Sequence, residues 1–370
     1  MALTNRSVLL VSKPIVPPWH DSGKNLVRDL ASAGNGWTYH VMATRGLAPL
    51  SSRCVMEAVY RASGAYAPGL GQHVRTALRL LKPDRIPIYH FFFAPNRRTS
   101  RIAATVLALK RRRTVHTLCS VPRSFEGLGA LLFADRIVAL SRHTLERLLQ
   151  AGVRGAVHIP PCVPSSPPVP QERKQRTTAA LGLPQRQLVL FPGDYEFSSA
   201  ASVCAGALPS ILQNRDAHFV FACRVKTAAA VAAEAAIRTR VADLGLCDRV
   251  TFTNEVEDME ALVASAALTV LPADSLYAKM DIPLVLLESL REGVPVVVSD
   301  HGPLPELAEG GGAAVVPTGS SEALAEAVLD LLGSPEQRAR MGRDGREFVA
   351  ARHSPAGMAL RHESLYDSLV

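Results

Sequence analysis

Two successive α/β domains, each built on a parallel sheet, are predicted by three observations. Short β-branched runs alternate with helical patterns over most of the 370 residues, a proline-rich stretch interrupts them near residue 160, and the charge changes sign across it. Residues 1–160 carry 23 Lys+Arg against 7 Asp+Glu, a net +16, and the remainder carries 18 against 26, a net −8. The basic character therefore belongs to one half. It suits an anionic counterpart such as a membrane surface or a phosphorylated partner, or else marks a solvated basic face.

The elements follow in order. In the first half, strands are expected at Val8–Ser12, Tyr39–Ala43, Ile88–Phe92, Thr114–Thr117, Arg136–Leu140 and Val157–Ile159, with helices opening at Gly23, about Arg98 and His143. Between Pro160 and Arg186 the prolines Pro160, Pro161, Pro164, Pro167, Pro168 and Pro170 and a polar run through Thr178 cannot continue a sheet, and a linker is expected there. The second series has strands at Leu188–Phe191, His218–Ala222, Arg249–Thr253, Leu268–Leu271, Val296–Ser299 and Ala313–Val316. Helices are expected from Ser199, through the Ala-rich run ending at Leu244, near Met259 and from Leu284. The domain boundaries read 1–163, a linker at 164–186, 187–345, and a C-terminal segment 346–370. In open parallel sheets ligands bind beyond the carboxyl ends of the strands, so two such domains facing across a cleft offer one default site.

Composition removes several classes of function. With 48% hydrophobic and 20% charged residues the chain has material for packed cores and is not mainly disordered. The apolar run Val8–Val11 is too short for a signal-peptide core, and no stretch approaches the roughly 20 apolar residues of a membrane span. Six dispersed cysteines without CxxC spacing read as reduced thiols in a cytoplasmic protein. No His/Cys cluster and no Asp-x-Asp motif has ligand spacing, so neither a metal nor a cofactor is expected. No nucleic-acid partner is expected. The first strand leads into Ser12-Lys13-Pro14-Ile15-Val16-Pro17-Pro18, which lacks a glycine fingerprint and argues against a nicotinamide-dependent dehydrogenase.

Several residues are candidates for chemistry. Asp21-Ser22-Gly23-Lys24 opens a helix whose free amides can hold a phosphate, with Gly23 at its start, or else is a plain cap. His20 and Asp21 lie where a substrate can reach, or form an ordinary turn. The helix between Asn96-Arg97-Arg98 and Lys110-Arg111-Arg112-Arg113, with Ile102, Val106 and Leu109 as an apolar stripe, can dock on anionic headgroups or pack with a solvated face.

The stretch 272–306 is the most specific. Its Met280-Asp281-Ile282-Pro283-Leu284, followed by Glu288 and Gly293-Val294-Pro295-Val296-Val297, resembles the donor-binding signature of retaining glycosyltransferases of family 4, which have the GT-B fold. The resemblance continues through Leu190-Phe191-Pro192-Gly193-Asp194-Tyr195, Val250–Ala266, Val115-His116-Thr117, Val138-Ala139-Leu140-Ser141 and Ile159-Pro160, in the right order and spacing. It implies that Glu288 holds the ribose hydroxyls of a nucleotide, a task for a carboxylate that accepts from two vicinal hydroxyls.

The sequence departs from the signature at Met280, where the family has a sugar-binding glutamate, at Ile282 in place of Phe, and at Pro283 in place of Gly, which removes one amide. Leu284 matches. Asp281 can take over the sugar hydroxyls, or it caps the helix. His116 maps onto a histidine beside the transferring sugar, and its strand end is expected to face the crevice. The cation pair of the family's phosphate loop is missing from the segment around Gly193 and Ser199. Arg224 and Lys226, at the end of the next strand, are candidates to replace it, with Ser199 adding helix-start amides.

The resemblance thus implies a nucleotide-diphosphate sugar donor, a hydroxyl acceptor, retention of configuration without a metal, and a C-terminal helix around Met358–Ser368 crossing back to the first domain. The competing reading is a catalytically degenerate relative acting as a binding partner or scaffold.

Overall fold

The structure, a computed structural model, describes residues 6–17, 19, 21–61, 69–95 and 97–370. His20 and Asn96 lie outside the described residues, as do the side chains of Arg97, Arg98, Ile102, Val106 and Leu109. The chain divides into two compact units. The first comprises Met1–Pro164, Ala278–Ile282 and His353–Val370; the second comprises Ser165–Tyr277 and Pro283–Arg352.

In chain order the first unit contains β1 (Ser7–Ile15), α1 (Ser22–Ala33), β2 (Thr38–Thr44), β3 (Cys54–Tyr60), α2 (Leu70–Leu81), β4 (Ile88–Phe92), α3 (Arg97–Lys110), β5 (Arg113–Thr117), β6 (Arg136–Ala139), α4 (Arg142–Gln150) and β7 (Ala156–His158). The second holds α5 (Gln171–Ala180), β8 (Gln187–Phe191), α6 (Ala200–Asn214), β9 (Ala217–Ala222), α7 (Ala228–Asp243), β10 (Val250–Thr253), α8 (Met259–Ser265), β11 (Leu268–Leu271), α9 (Leu284–Glu292), β12 (Val296–Ser299), β13 (Ala313–Val316), α10 (Ser321–Gly333) and α11 (Pro335–Arg352). The chain ends with α12 (Pro355–Asp367), which belongs to the first unit.

Both sheets are parallel throughout. Their orders are β3-β2-β1-β4-β5-β6-β7 and β10-β9-β8-β11-β12-β13. Each is doubly wound, with the winding reversing between β1 and β4 and between β8 and β11, the positions where such sheets open a crevice at their carboxyl edge. This is the predicted fold class of two Rossmann-like α/β parallel-sheet domains. Residues of β8, β11 and β12 such as Val189, Leu190, Val270, Val297 and Val298 are fully buried, as a strand covered on both faces requires.

Three features differ from the sequence reading. The expected linker is no free connector: from Ser165 the chain belongs to the second unit. Residues Gln171–Ala180 form α5, Val169 packs with Ala261 and Ala264 of α8, and Arg173 pairs with Asp258 at 2.5 Å and with Glu260 at 2.8 Å. Here polar composition marks a helix lying on its unit's surface, held by charge pairs rather than by apolar periodicity. Secondly, β3, α2, α10 and α11 are absent from the expected elements; Cys54–Tyr60 is an edge strand with mixed burial, and α2 turns Leu70, Leu78 and Leu81 outward. Thirdly, residues Ala278–Ile282 of the signature loop belong to the first unit.

The C-terminal helix is clamped by charge. Glu363 Oε1 accepts from the amides of Asn35 and Gly36 at 3.0 and 2.9 Å and from the Tyr39 hydroxyl at 2.8 Å, while Trp37 Nε1 donates to Asp367. Behind it lie buried imidazoles. His90 contacts the Tyr366 hydroxyl and Thr117 Oγ1, both at 2.7 Å, and His362 Nδ1 donates to the Met358 carbonyl.

Burial holds His362 down to about 4 and His90 well below its ordinary value, with His362 and His116 adding repulsion at His90. In the unfolded chain these rings protonate near 6.5, so below that pH the unfolded state binds more protons. Stability should therefore be complete above about pH 6.5 and fall by roughly 1.4 kcal/mol per pH unit for each such ring as the pH drops toward 4. Urea unfolding at a series of pH values measures the slope, and His362→Leu should reduce it.

Candidate active site

Because all strands of the second sheet are parallel, the loops after β8, β9, β10, β11 and β12 leave at one edge, and side-chain bonds tie them together. After β8, Asp194 Oδ1 accepts from the amides of Glu196 and Phe197 at 2.9 and 2.7 Å, which folds this loop over its own carboxylate. Glu196 accepts from Thr227 Oγ1 at 2.5 Å, linking the β8 and β9 loops. Asn254 Oδ1, after β10, accepts from the Val225 amide at 2.7 Å. Across the switch point, Asp274 Oδ1 accepts from the Ser199 amide at 2.8 Å, and the rings of Phe197 and Tyr277 meet edge to face at 6.1 Å.

The expected donor residues take the following places. Arg224 and Lys226 are exposed on the β9–α7 loop at this edge, on either side of the pinned Val225. Glu288 lies one turn inside α9, half-buried, on the stripe it shares with Val285, Arg291 and Glu292, while Leu284, Leu286, Leu287 and Leu290 fill the core. Leu284 opens α9, with Pro283 as its N-cap residue and no side-chain cap. Gly193 is fixed by packing, since a Cβ there would stand 2.1 Å from the Phe191 ring. Ser199 sits at the start of α6, where a carboxylate from the β11 loop already occupies its amide.

Other expectations are corrected. Asp281 does not cap α9. It is 1% exposed, and its two carboxylate oxygens accept from Ser141 Oγ at 2.8 Å and Thr144 Oγ1 at 2.7 Å, at the start of α4 within the first unit. Met280 and Ile282 are buried beside it, and the preceding residues pair with the first unit's chain, the Ala278 amide donating to the Val121 carbonyl and the Val121 amide to the Lys279 carbonyl. Ala278 adopts a φ of +60°, a strained value for a residue with a Cβ, so this bridge is made against local preference.

His116 is not on an exposed lip. Strand alternation turns it to the face of Phe91, where its ring packs against Phe93 and Phe133 at 4.6 and 5.6 Å and Nε2 donates to the Phe93 carbonyl. Burial holds it at about 4, so it is neutral at neutral pH and cannot act as a proton donor of imidazolium type. In the first unit Gly23 lies in the opening turn of α1, whose N-cap is Asp21. Burial alone would raise the Asp21 carboxyl, but the Lys13 ammonium at 2.8 Å and the Lys24 amide hold it below the ordinary range. The plain cap is thus the observed arrangement.

The loop-joining residues Asp274, Thr227 and Asn254 were missed, for their partners lie 29 to 75 residues away in sequence. Among the described residues no group of three or more His, Cys, Asp or Glu is placed to hold a metal ion, and no helix is long and apolar enough to cross a membrane. Removing the Asp281 carboxylate leaves two buried hydroxyls without their acceptor, so Asp281→Ala should lower stability by about 2 kcal/mol. Denaturant unfolding measures it, whereas a carboxylate serving only a ligand would leave the midpoint unchanged.

Comparison with known proteins bears on the second unit most directly. Residues 186–334 match the family described as Glycosyl transferases group 1. The chain is 34% identical over 121 residues to a GDP-mannose-dependent alpha-(1-6)-phosphatidylinositol monomannoside mannosyltransferase of Mycobacterium tuberculosis, covering 31% of each chain. It is 29% identical over 230 residues to the enzyme of the same description from Mycolicibacterium smegmatis, covering 58% of each. The matched regions thus span about a third to somewhat more than half of these relatives. In fold, the chain is similar to Anabaena Alr3699/HepE, solved in complex with UDP and glucose, with a TM-score of 0.74 at 15% identity over 98% of this chain and 99% of that one. The protein therefore has the two-domain GT-B fold, and residues 186–334 of its second unit match the Glycosyl transferases group 1 family.

Proposed function

We propose that the protein is a retaining, metal-independent glycosyltransferase that moves a sugar from a nucleotide-diphosphate donor, bound by the second unit, to a hydroxyl acceptor selected by the first. The observation that carries this reading is that the group 1 match at residues 186–334 contains Arg224, Lys226 and Glu288, two cations at the carboxyl edge of the sheet and a carboxylate one turn into the helix that leaves it. The mannosyltransferase names of the relatives make GDP-mannose the first donor to test. Six free cysteines suit a cytoplasmic enzyme.

In this reading Glu288 accepts hydrogen bonds from the ribose hydroxyls and so places the diphosphate. As the bond between the anomeric carbon and the phosphate oxygen breaks, charge grows on the leaving group. Arg224 and Lys226 stabilise it from fixed positions, held by Val225–Asn254 and Thr227–Glu196. The acceptor oxygen bonds to the anomeric carbon on the face that the phosphate leaves, and the acceptor proton passes to the departing phosphate oxygen. Gly193 and Leu284 shape the loops around the donor, and the Ser199 amide adds a donor once Asp274 yields it. His116 and Asp281 are assigned to packing, and Gly23 to the cap of α1. The first unit holds residues 1–160, whose net charge is +16, which suits an anionic acceptor or an anionic surface bearing one.

A second reading, the degenerate relative that binds without turnover, is favoured by the Ser199–Asp274 bond, which fills a helix-start amide, and by the engagement of Asp281 with Ser141 and Thr144.

A thermal-shift panel of nucleoside diphosphates and their sugars tests donor binding. A ligand at a hundredfold excess over its dissociation constant should add about 2.7 kcal/mol, and Glu288→Ala should remove most of that shift. An equal shift in both proteins would take Glu288 out of the site. Arg224→Ala with Lys226→Ala should lower kcat for transfer or donor hydrolysis about 100-fold or more with a smaller effect on KM. Nucleotide binding with no turnover in the unmodified protein would establish the second reading instead.

A further inference from the structure

The two loops that flank the switch point of the second sheet each carry an aromatic ring that the donor reading leaves without a task. After β8, Tyr195 turns inward, buried against Phe221 with ring centroids 6.4 Å apart, whereas Phe197 is 39% exposed, the one exposed phenylalanine among the described residues. After β11, Tyr277 is half-buried, and its ring meets that of Phe197 edge to face at 6.1 Å with 73° between the planes. Because β8 and β11 are neighbours in the sheet, the pair bridges the point where the winding reverses.

Backbone bonds hold both rings in place before any ligand arrives. The Phe197 amide donates to Asp194 Oδ1, and the Tyr277 amide donates to Ser275 Oγ at 3.2 Å. Two residues beyond Phe197 and three before Tyr277, the Ser199 amide donates to Asp274 Oδ1 and so fastens one loop to the other. The carboxylates of these loops turn to protein donors, Asp194 and Asp274 to amides and Glu196 to Thr227 Oγ1. The rings thus add an apolar surface to a rim otherwise made of polar groups, and rings fixed in this way lose little freedom when a ligand covers them.

We propose that Phe197 and Tyr277 form the platform on which the sugar of the donor stacks, so that this protein reads its sugar by the C–H groups of one pyranose face. The proposal deepens, and rests on, the reading of the second unit as the donor side. A ribose held by Glu288 lies four residues, roughly 6 Å, inside α9. The amides that open α9 have no side-chain cap, and the positive end of the helix draws the diphosphate that way. The sugar beyond the diphosphate then meets the rim that carries Tyr277 and Phe197, while the base, on the other side of the ribose, points away from it. The negative face of an aromatic ring attracts the slightly positive C–H groups of a pyranose, and both are removed from water. Equatorial hydroxyls project from the edge of the sugar and keep their hydration, whereas an axial hydroxyl on the stacked face would hold the rings off.

Calorimetric titration of the full-length protein tests the proposal, with GDP, UDP, ADP and dTDP each set against its sugar conjugate, GDP-mannose, UDP-glucose, ADP-glucose and dTDP-glucose. For the pair that binds, Phe197→Ala and Tyr277→Ala should each weaken the nucleotide sugar about five- to tenfold and leave the nucleoside diphosphate within about twofold. Tyr277→Phe keeps the ring and should bind both ligands as the unmodified protein does. Because Phe197 is exposed, its variant keeps the fold and decides the matter by itself. Equal weakening of the diphosphate and its sugar would put the nucleoside, or a merely structural role, in the sugar's place and overturn the proposal. So would undiminished binding of the nucleotide sugar by Phe197→Ala, or a loss in Tyr277→Phe as large as in Tyr277→Ala, which would trace the effect to the hydroxyl. An unmodified protein that binds none of these ligands refutes the donor reading and this proposal with it. One that shows the sugar-specific loss but turns nothing over refutes the enzymatic reading alone.

Discussion

The constraint on which the rest depends is that a parallel strand can be followed by another only through a crossover, so every strand of a unit ends at the same edge. Six strands in the second unit therefore deliver their loops to one rim, and the reversal of winding between β8 and β11 opens that rim at its centre. Hydrogen bonds then fix the loops relative to one another. Asn254 holds Val225, Glu196 holds Thr227 and Asp274 holds Ser199. Such cross-loop bonds matter for chemistry because groups that act on developing charge must already be in place when it appears.

The same logic explains the acids of the rim. A carboxylate near an expected phosphate site is unfavourable if it faces the phosphate, yet Asp194 spends one oxygen on two amides of its own loop, and Asp274 neutralises the positive start of α6. Their charge is thereby directed into the protein. Asp281 follows the rule in the first unit, where two hydroxyls at the start of α4 accompany its burial. A group that looks catalytic by type is made structural by its partners.

In the first unit, polar groups do work that apolar packing usually does. Glu363 gathers three donors to seat α12, and Arg79 seats α2 through two carboxylates. Because a buried guanidinium with bidentate partners defines orientation more narrowly than a leucine does, α2 is held firmly while its apolar side remains outward.

The sequence by itself determined what is periodic or local: the alternation of strands and helices, the start of α9 at Leu284 after a proline, the Asp21 cap of α1, and the opposite charges of the two halves. These depend on neighbours within a few residues, which is what hydrophobic spacing and turn chemistry record. Tertiary structure alone decided that His116 turns into an aromatic core, that five residues of the signature loop join the first unit, that Asp281 meets Ser141 and Thr144 about 140 residues away, and that α2 faces Leu70, Leu78 and Leu81 outward. A residue type states which partners it is able to take. Which partner it meets is set by the register of strands and the crossing of helices, and these are fixed only when the whole chain has packed.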